Sequence, residues 1–295
     1  MKHLNISSFL QLRPSLRNVG FVPTMGALHQ GHINLVQECL NSSSTCVISI
    51  FVNPTQFAAN EDLEKYPRTL ESDITKLKEL DHARIVLITP TAAEMYPSGI
   101  DNGVFLNISK GSLYEGKVRP HFFTGVCTVV CKLFNLVKPD IAFFGQKDIQ
   151  QASIITQLAK DLLMDVKIKI APTAREPSGL AMSSRNVYLS KEQRINAIGL
   201  YNLLQNIKNH LQVGVKESID MGILKFRAKY PEFEIQYTNA VHGYSLAPFT
   251  APIGKYKEVT QVFEIDDDVL CIIAAIRISD SLRLLDNIVL QVENK

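Results

Sequence analysis

Over the first 173 residues the apolar positions alternate between two kinds of run. Val19–Val22, Cys46–Val52, Arg84–Thr89, Asp140–Phe144 and Val166–Ala171 are short and rich in Val, Ile and Phe. Strands buried on both faces read this way. Between them, Ile33–Leu40, Leu70–Leu80, Thr124–Val137 and Lys147–Leu163 carry apolar residues at helical spacing, for example Leu70, Ile74, Leu77 and Leu80. Strands alternating with helices predict an α/β domain, a Rossmann-like doubly wound parallel sheet covered by helices. After Thr173 the rhythm changes. The polar, turn-rich stretch Ala174–Gly179 reads as a hinge. Two helical stretches follow, Lys191–Leu211 and Glu217–Tyr230, then short strands at Glu234–Val241, Val269–Ile276 and Ile288–Val292. The expected division is therefore a Rossmann-like domain over 1–173 and a smaller α+β lid domain over 174–295. Length supports two domains, since 295 residues exceed the usual size of one.

The strand–helix junctions matter because ligands of open α/β sheets bind beyond the carboxyl ends of the strands. Candidate chemistry falls there. After the first strand comes Pro23-Thr-Met-Gly-Ala-Leu-His-Gln-Gly-His32, with His29 and His32 three residues apart at an expected helix start. Unpaired backbone N–H groups, the helix dipole, two imidazoles and two glycines suit a nucleotide phosphate. A helix cap or a metal pair are the competing readings, and no third metal ligand stands at suitable spacing. After the second strand, Asn53 and Gln56 offer neutral donors and acceptors for a small polar acid, or for their own loop.

Beyond a later strand, Gly145-Gln146-Lys147-Asp148 precedes a helix carrying Gln151. Lys147 suits phosphate oxygens and Asp148 a ribose hydroxyl. Lys147 and Gln151 share a helix face. Met182-Ser183-Ser184-Arg185-Asn186 sets two hydroxyls beside an Arg, a group suited to a leaving phosphate, although a Ser-rich turn reads the same way. A P-loop, a Gly-x-Gly-x-x-Gly fingerprint after the first strand and a Gly-x-Ser-x-Gly elbow are all missing from the sequence, which argues against three common enzyme classes.

Bulk properties narrow the partners. A formal charge of +2 is too small to indicate a nucleic-acid or membrane-surface protein. No apolar run reaches the ~18 residues of a membrane span, and the N-terminal residues lack a signal-peptide core. Five cysteines without a Cys-x-x-Cys pair read as buried thiols of a cytoplasmic protein. Asp266-Asp267-Asp268 reads as a solvated turn.

Taken in order, these segments resemble the pantothenate synthetases (pantoate–β-alanine ligases). The matching pieces are Pro23–His32, Ser49–Phe57, Tyr66-Pro-Arg-Thr69, Lys132–Val137, Phe144–Asp148 with Gln151, Met182–Asn186 and Arg283–Ile288. That family belongs to the HxGH nucleotidyltransferases. The resemblance implies condensation of (R)-pantoate with β-alanine, through pantoyl adenylate, to give pantothenate, AMP and pyrophosphate, with ATP and Mg²⁺. It implies that Met25, Gly26, Ala27, Leu28, His29, Gln30, Gly31 and His32 line the ATP site, His32 as proton donor with His29 beside it. Gly145, Gln146, Lys147 and Asp148 would hold ATP, and Ala174 would meet adenine through its backbone. Met182, Ser183, Ser184 and Arg185 would form a mobile phosphate loop. Gln56, Gln151 and Asn53 would hold pantoate. A homodimer is the family's usual state. Two other readings are another HxGH nucleotidyltransferase and a non-catalytic nucleotide-binding protein.

Three departures stand out. The family usually reads Arg-Pro-Gly-His-Phe-x-Gly-Val where this chain has Arg119-Pro-His-Phe-Phe-Thr-Gly-Val126, so Phe122 takes the His position and His121 the Gly position. Gln146 stands where many members have Glu. Ile278-Ser-Asp-Ser281 replaces a Gly-containing turn.

Overall fold

The computed structural model describes residues 1–58, 61–250, 255–279 and 282–293. In chain order the elements are β1 (Lys2–Leu4), α1 (Ile6–Leu12), β2 (Val19–Thr24), α2 (Gln30–Ser42), β3 (Thr45–Ile50), α3 (Leu70–Lys78) and β4 (Ile85–Ile88). Next come α4 (Ala92–Met95), α5 (Glu115–Val118), α6 (Phe122–Val137), β5 (Ile141–Gly145), α7 (Ile149–Asp161) and β6 (Lys167–Ala171). The remainder is α8 (Lys191–Asn196), α9 (Ile198–His210), α10 (Val215–Lys229), β7 (Glu234–His242), β8 (Lys255–Glu258), β9 (Val269–Ser279) and β10 (Leu282–Glu293).

The first six strands form one parallel sheet in the order β1-β4-β3-β2-β5-β6. Its central strands are buried along both faces: Val19, Phe21 and Val22 of β2 and Cys46, Val47 and Ile48 of β3 have no exposed surface. This is the doubly wound sheet that the alternating runs predict. The order reverses at β2, which sends α2 and the loop before it to the switch point where such sheets bind ligands. The sequence pattern misses β1 because it is an edge strand with exposed Lys2 and His3 and so carries no buried signature.

The chain divides into two compact units. The first comprises Met1–Gly145 and Ile154–Ala171; the second comprises Gln146–Ser153 and Pro172–Lys295. The second unit is built on an antiparallel sheet, β7-β9-β10-β8. Leu200, Leu203, Leu204 and Ile207 of α9 pack with Leu270, Ile272, Ile276, Ile288 and Leu290 of that sheet. The strands β9 and β10 run longer than the apolar pattern indicates. Their pairing continues through polar residues, with Leu284 opposite Ile276 and Arg283 opposite Arg277. The single helix expected over Lys191–Leu211 is two helices that meet at the buried Ala197. Just beyond it, Gly199 lies so close to the Tyr230 ring that a Cβ would come within 2.6 Å.

Ala174–Gly179 is not an open connector. Glu176 N donates to Leu180 O (2.9 Å), Gly179 N to Glu176 O (2.8 Å), and Arg175 bridges to Ala181. The stretch is a tight turn, pinned within the second unit by a two-pronged ion pair of Arg175 with Asp286 (2.6 and 3.0 Å). Asp280 and Ser281, part of the departing C-terminal turn, lie outside the described residues.

None of the five cysteines is paired. Burial pushes the Cys46 and Cys271 thiols well up and Cys127 to about 12. They are packing groups rather than nucleophiles. Asp266–Asp268 is a turn whose carboxylates cap its own backbone and Ser245 N. Among the described residues no group of three His, Cys, Asp or Glu could cage a metal ion, and no helix is long and apolar enough to cross a membrane.

Candidate active site

In the first unit, β2 ends at Thr24 and the chain turns sharply into α2. Gly26 (φ +81°) and Ala27 (φ +50°) both adopt the left-handed region, which a non-glycine residue such as Ala27 does not take without support. The support is Asp73 on α3. Its fully buried carboxylate accepts from Ala27 N (2.9 Å), Leu28 N (2.8 Å) and the Thr69 hydroxyl (3.2 Å). Lys76, one turn further along α3, donates to Leu28 O (2.5 Å). Two consecutive N–H groups in this conformation form an anion-binding concavity, here filled by the protein's own carboxylate. Sequence reading misses Asp73, although the signal exists: an acid on the apolar stripe of Leu70, Ile74 and Leu77.

The turn delivers the two histidines. His29 is the N-cap of α2 and its Nδ1 accepts from Gly31 N (3.1 Å). His32, at the third helical position, accepts from His29 N through Nδ1 (3.3 Å). This is a capping box made of imidazoles, with ring centroids 4.1 Å apart. An Nδ1 that accepts a hydrogen bond carries no proton, so each neutral ring holds its hydrogen on Nε2. Both rings therefore act as donors through Nε2 at the positive end of a helix.

Beyond β3, Asn53 and Gln56 are buried, with 1% and 9% exposure, and they touch. Asn53 Nδ2 donates to Gln56 Oε1 (3.1 Å) and to Gly125 O (3.3 Å). Gln56 Nε2 lies 3.1 Å from Met25 Sδ, joining the turn before α2 to the amide pair. Gly125 is required there, because a Cβ would collide with the Thr55 carbonyl. Behind the pair stands Tyr96, which sequence reading also misses; its hydroxyl donates to Asn53 Oδ1 (2.7 Å). Burial raises the Tyr96 phenol above its ordinary range, offset in part by the Thr55 and Asn53 hydrogen bonds.

The departing Arg119–Val126 segment has its own logic. His121 sits at φ +70°, a left-handed position that explains why Gly is usual, and its side chain is exposed. Phe122 lies against the Arg119 guanidinium, 3.9 Å from the ring centroid. Arg119 in turn forks onto Glu61 (2.6 and 2.5 Å) and donates to Gln56 O (3.1 Å). Phe122 is thus a stacking platform for an arginine that braces the Gln56 backbone. At the end of β5, a Cβ on Gly145 would meet no atom within 4 Å. Packing therefore does not demand glycine there, and the strand end faces open space.

The second unit gathers the other candidates. Lys147 pairs with Asp148 (3.2 Å), and Gln151 lies in the first turn of α7, partly exposed. Lys147, Ser183, Asn186, Tyr201 and Asp286 line one small cavity. Asn287 Nδ2 donates to both Gln146 O and Lys147 O (2.8 Å each), and Gln146 Nε2 returns to Asn287 Oδ1 (3.2 Å). That pairing fixes the turn that presents Lys147, and Gln146 acts through it rather than as a charge. Met182 N donates to Ala174 O (2.9 Å), which ties the two segments together. Ser183 caps the short turn that follows, accepting from Arg185 N (3.3 Å), and Ser183, Ser184 and Arg185 are all partly exposed.

A family model for pantoate–β-alanine ligase matches residues 3–289. The pantothenate synthetase of Alteromonas mediterranea is 47% identical over 238 residues, covering 79% of this chain and 83% of its own. That of Chloroflexus aurantiacus is 40% identical over 292 residues, 98% of each chain. The crystal structure of Thermus thermophilus pantothenate synthetase superposes with a TM-score of 0.84 at 37% identity, covering 97% of this chain and 98% of the other. A pantoate–β-alanine ligase from Francisella tularensis, complexed with beta-gamma ATP and β-alanine, gives a TM-score of 0.70 at 32% identity, covering 97% of both chains.

Proposed function

The chain belongs to the pantoate–β-alanine ligase family, and on that premise we propose how its own residues carry the reaction. It is an ATP-using ligase of pantothenate biosynthesis that joins pantoate to β-alanine. The proposed course has two steps. A carboxylate oxygen of (R)-pantoate attacks the α-phosphorus of ATP; the new bond is a mixed anhydride, and pyrophosphate leaves. The amine of β-alanine then attacks the acyl carbon, loses a proton, and displaces AMP.

The observation that carries this reading is the imidazole capping box. Attack at phosphorus gathers negative charge on the phosphoryl oxygens and on the leaving pyrophosphate. Two Nε2 donors fixed at a helix start meet that charge without reorganising, and each such donor is worth about 2.7–4 kcal/mol of barrier. His32 is the principal donor and His29 supports it. Met25, Gly26, Ala27, Leu28, Gln30 and Gly31 shape the turn around the nucleotide. Gln56, Asn53 and Gln151 hold the acid. Gly145 leaves room for ATP, Lys147 addresses phosphate, and Asp148 exchanges its ion pair for a ribose hydroxyl. Ala174 meets the base through its backbone. Ser183, Ser184 and Arg185, after Met182, hold the departing phosphates.

Mg²⁺ fits as part of the nucleotide substrate. It favours phosphate and water oxygens over an all-protein cage, and among the described residues no cage is present. When bound, it would supply charge neutralisation on the phosphates. The five unpaired thiols support a reducing, cytoplasmic setting, and we assign the homodimer by family resemblance.

The test is release of AMP and pyrophosphate from purified protein given ATP and Mg²⁺, then pantoate, then β-alanine. The expected result is AMP release that needs both acids and matches pantothenate formed. AMP release without β-alanine, or a dinucleotide product, would overturn the assignment.

A further inference from the structure

We propose that Tyr96 is a positioning residue that sets the polarity of the acid-binding amide, so that Gln56 presents an N–H rather than a carbonyl to pantoate. The inference rests on the reading of Gln56 as a pantoate ligand. An amide side chain can face either way, and its neighbours decide. Gly125 O is a carbonyl and can only accept, so the Asn53 atom 3.3 Å away is Nδ2. At the other end of the same amide, Oδ1 receives the Tyr96 hydroxyl (2.7 Å) and the Thr55 hydroxyl (3.0 Å). Asn53 is therefore locked from both ends. Its remaining Nδ2 hydrogen goes to Gln56 Oε1 (3.1 Å), which forces Gln56 Nε2 to the opposite side, toward Met25 Sδ (3.1 Å). A thioether is a weak acceptor, so it yields to a stronger one. A carboxylate or hydroxyl oxygen of the substrate acid supplies it.

The relay Tyr96–Asn53–Gln56 thus converts a phenol into selectivity for an oxygen-rich acid, without adding a charge. The Tyr96 ring keeps separate packing contacts. Lys132 Nζ lies 4.9 Å from its centroid and Phe51 stands 6.5 Å away. A phenylalanine retains both, so removing the hydroxyl isolates the relay.

The experiment compares steady-state constants for Tyr96→Phe, Thr55→Val and Gln56→Ala. Tyr96→Phe should raise the KM for pantoate about three- to tenfold, the size of one lost hydrogen bond. The KM values for ATP and β-alanine should stay within about twofold, and the thermal midpoint should hold. Thr55→Val, which removes the second hydroxyl on Asn53 Oδ1, should move the pantoate KM in the same direction by less. An unchanged pantoate KM in both variants, with a raised one in Gln56→Ala, would overturn the relay alone. An unchanged pantoate KM in Gln56→Ala would overturn the acid-site reading on which the relay rests. A parallel rise for all three substrates in Tyr96→Phe, or a lowered thermal midpoint, would show a structural role instead.

Discussion

The proposed acid-binding region around Gln56 and the proposed phosphate loop around Ser183 are held in contrasting ways. Every polar side chain near Gln56 is held by another distant part of the chain: Asn53 by Tyr96 and Gly125, and the preceding turn by Asp73. These groups are buried, Asp73 completely. In the second unit, Ser183 holds Arg185 two residues away, and Ser183, Ser184 and Arg185 keep part of their surface in solvent. The first arrangement is preorganised, which suits atoms that must meet a small acid and a reacting phosphorus at fixed distances. The Ser183–Arg185 contact closes within two residues at a partly exposed surface, which suits the proposed role of a phosphate loop that shifts on closure.

The preorganised region is most vulnerable at His32. His32→Ala should lower kcat about 10²–10³-fold, the loss of one donor aimed at developing charge. Its thermal midpoint should stay close to wild type, because His29 retains the cap on Gly31 N. A loss of folding instead, seen in near-UV circular dichroism, would make the imidazole pair structural.

Asp73→Asn should cost both stability and turnover. The asparagine keeps one acceptor for two N–H groups and loses the charge, so about 1–3 kcal/mol of stability should go. The turn carrying His29 should loosen, and kcat should fall while the KM for β-alanine stays put. Equilibrium unfolding and initial rates read the two effects separately; wild-type stability would show that the turn holds without the Asp73 clamp.

A milder substitution probes the open space at the end of β5. Gly145→Ala should leave the thermal midpoint unchanged, since the added methyl meets nothing. It should raise the KM for ATP about tenfold by crowding the nucleotide, the scale of a methyl group forced into a filled site. An unchanged ATP dependence would take Gly145 out of the nucleotide site.

What the sequence makes legible follows from the range of each interaction. Runs such as Cys46–Ile48 declare buried strands because burial on two faces leaves no polar positions. His29 and His32 declare themselves because their cap is local, closing within three residues. The bonds that position Gln56 and Lys147 are not local. Tyr96 lies 43 residues from Asn53 and Asn287 lies 141 from Gln146, so no spacing rule connects them. Likewise β10 outruns its apolar core because a strand pair persists through Arg283 wherever the ladder continues.

In the proposed mechanism the imidazole cap of the first unit drives chemistry at the α-phosphate of ATP. Exchange of labelled pyrophosphate into ATP measures that step alone. We expect exchange that requires pantoate, proceeds without β-alanine, and falls about 10²-fold or more in His32→Ala. Exchange of wild-type magnitude in that variant, or exchange indifferent to pantoate, would contradict the mechanism.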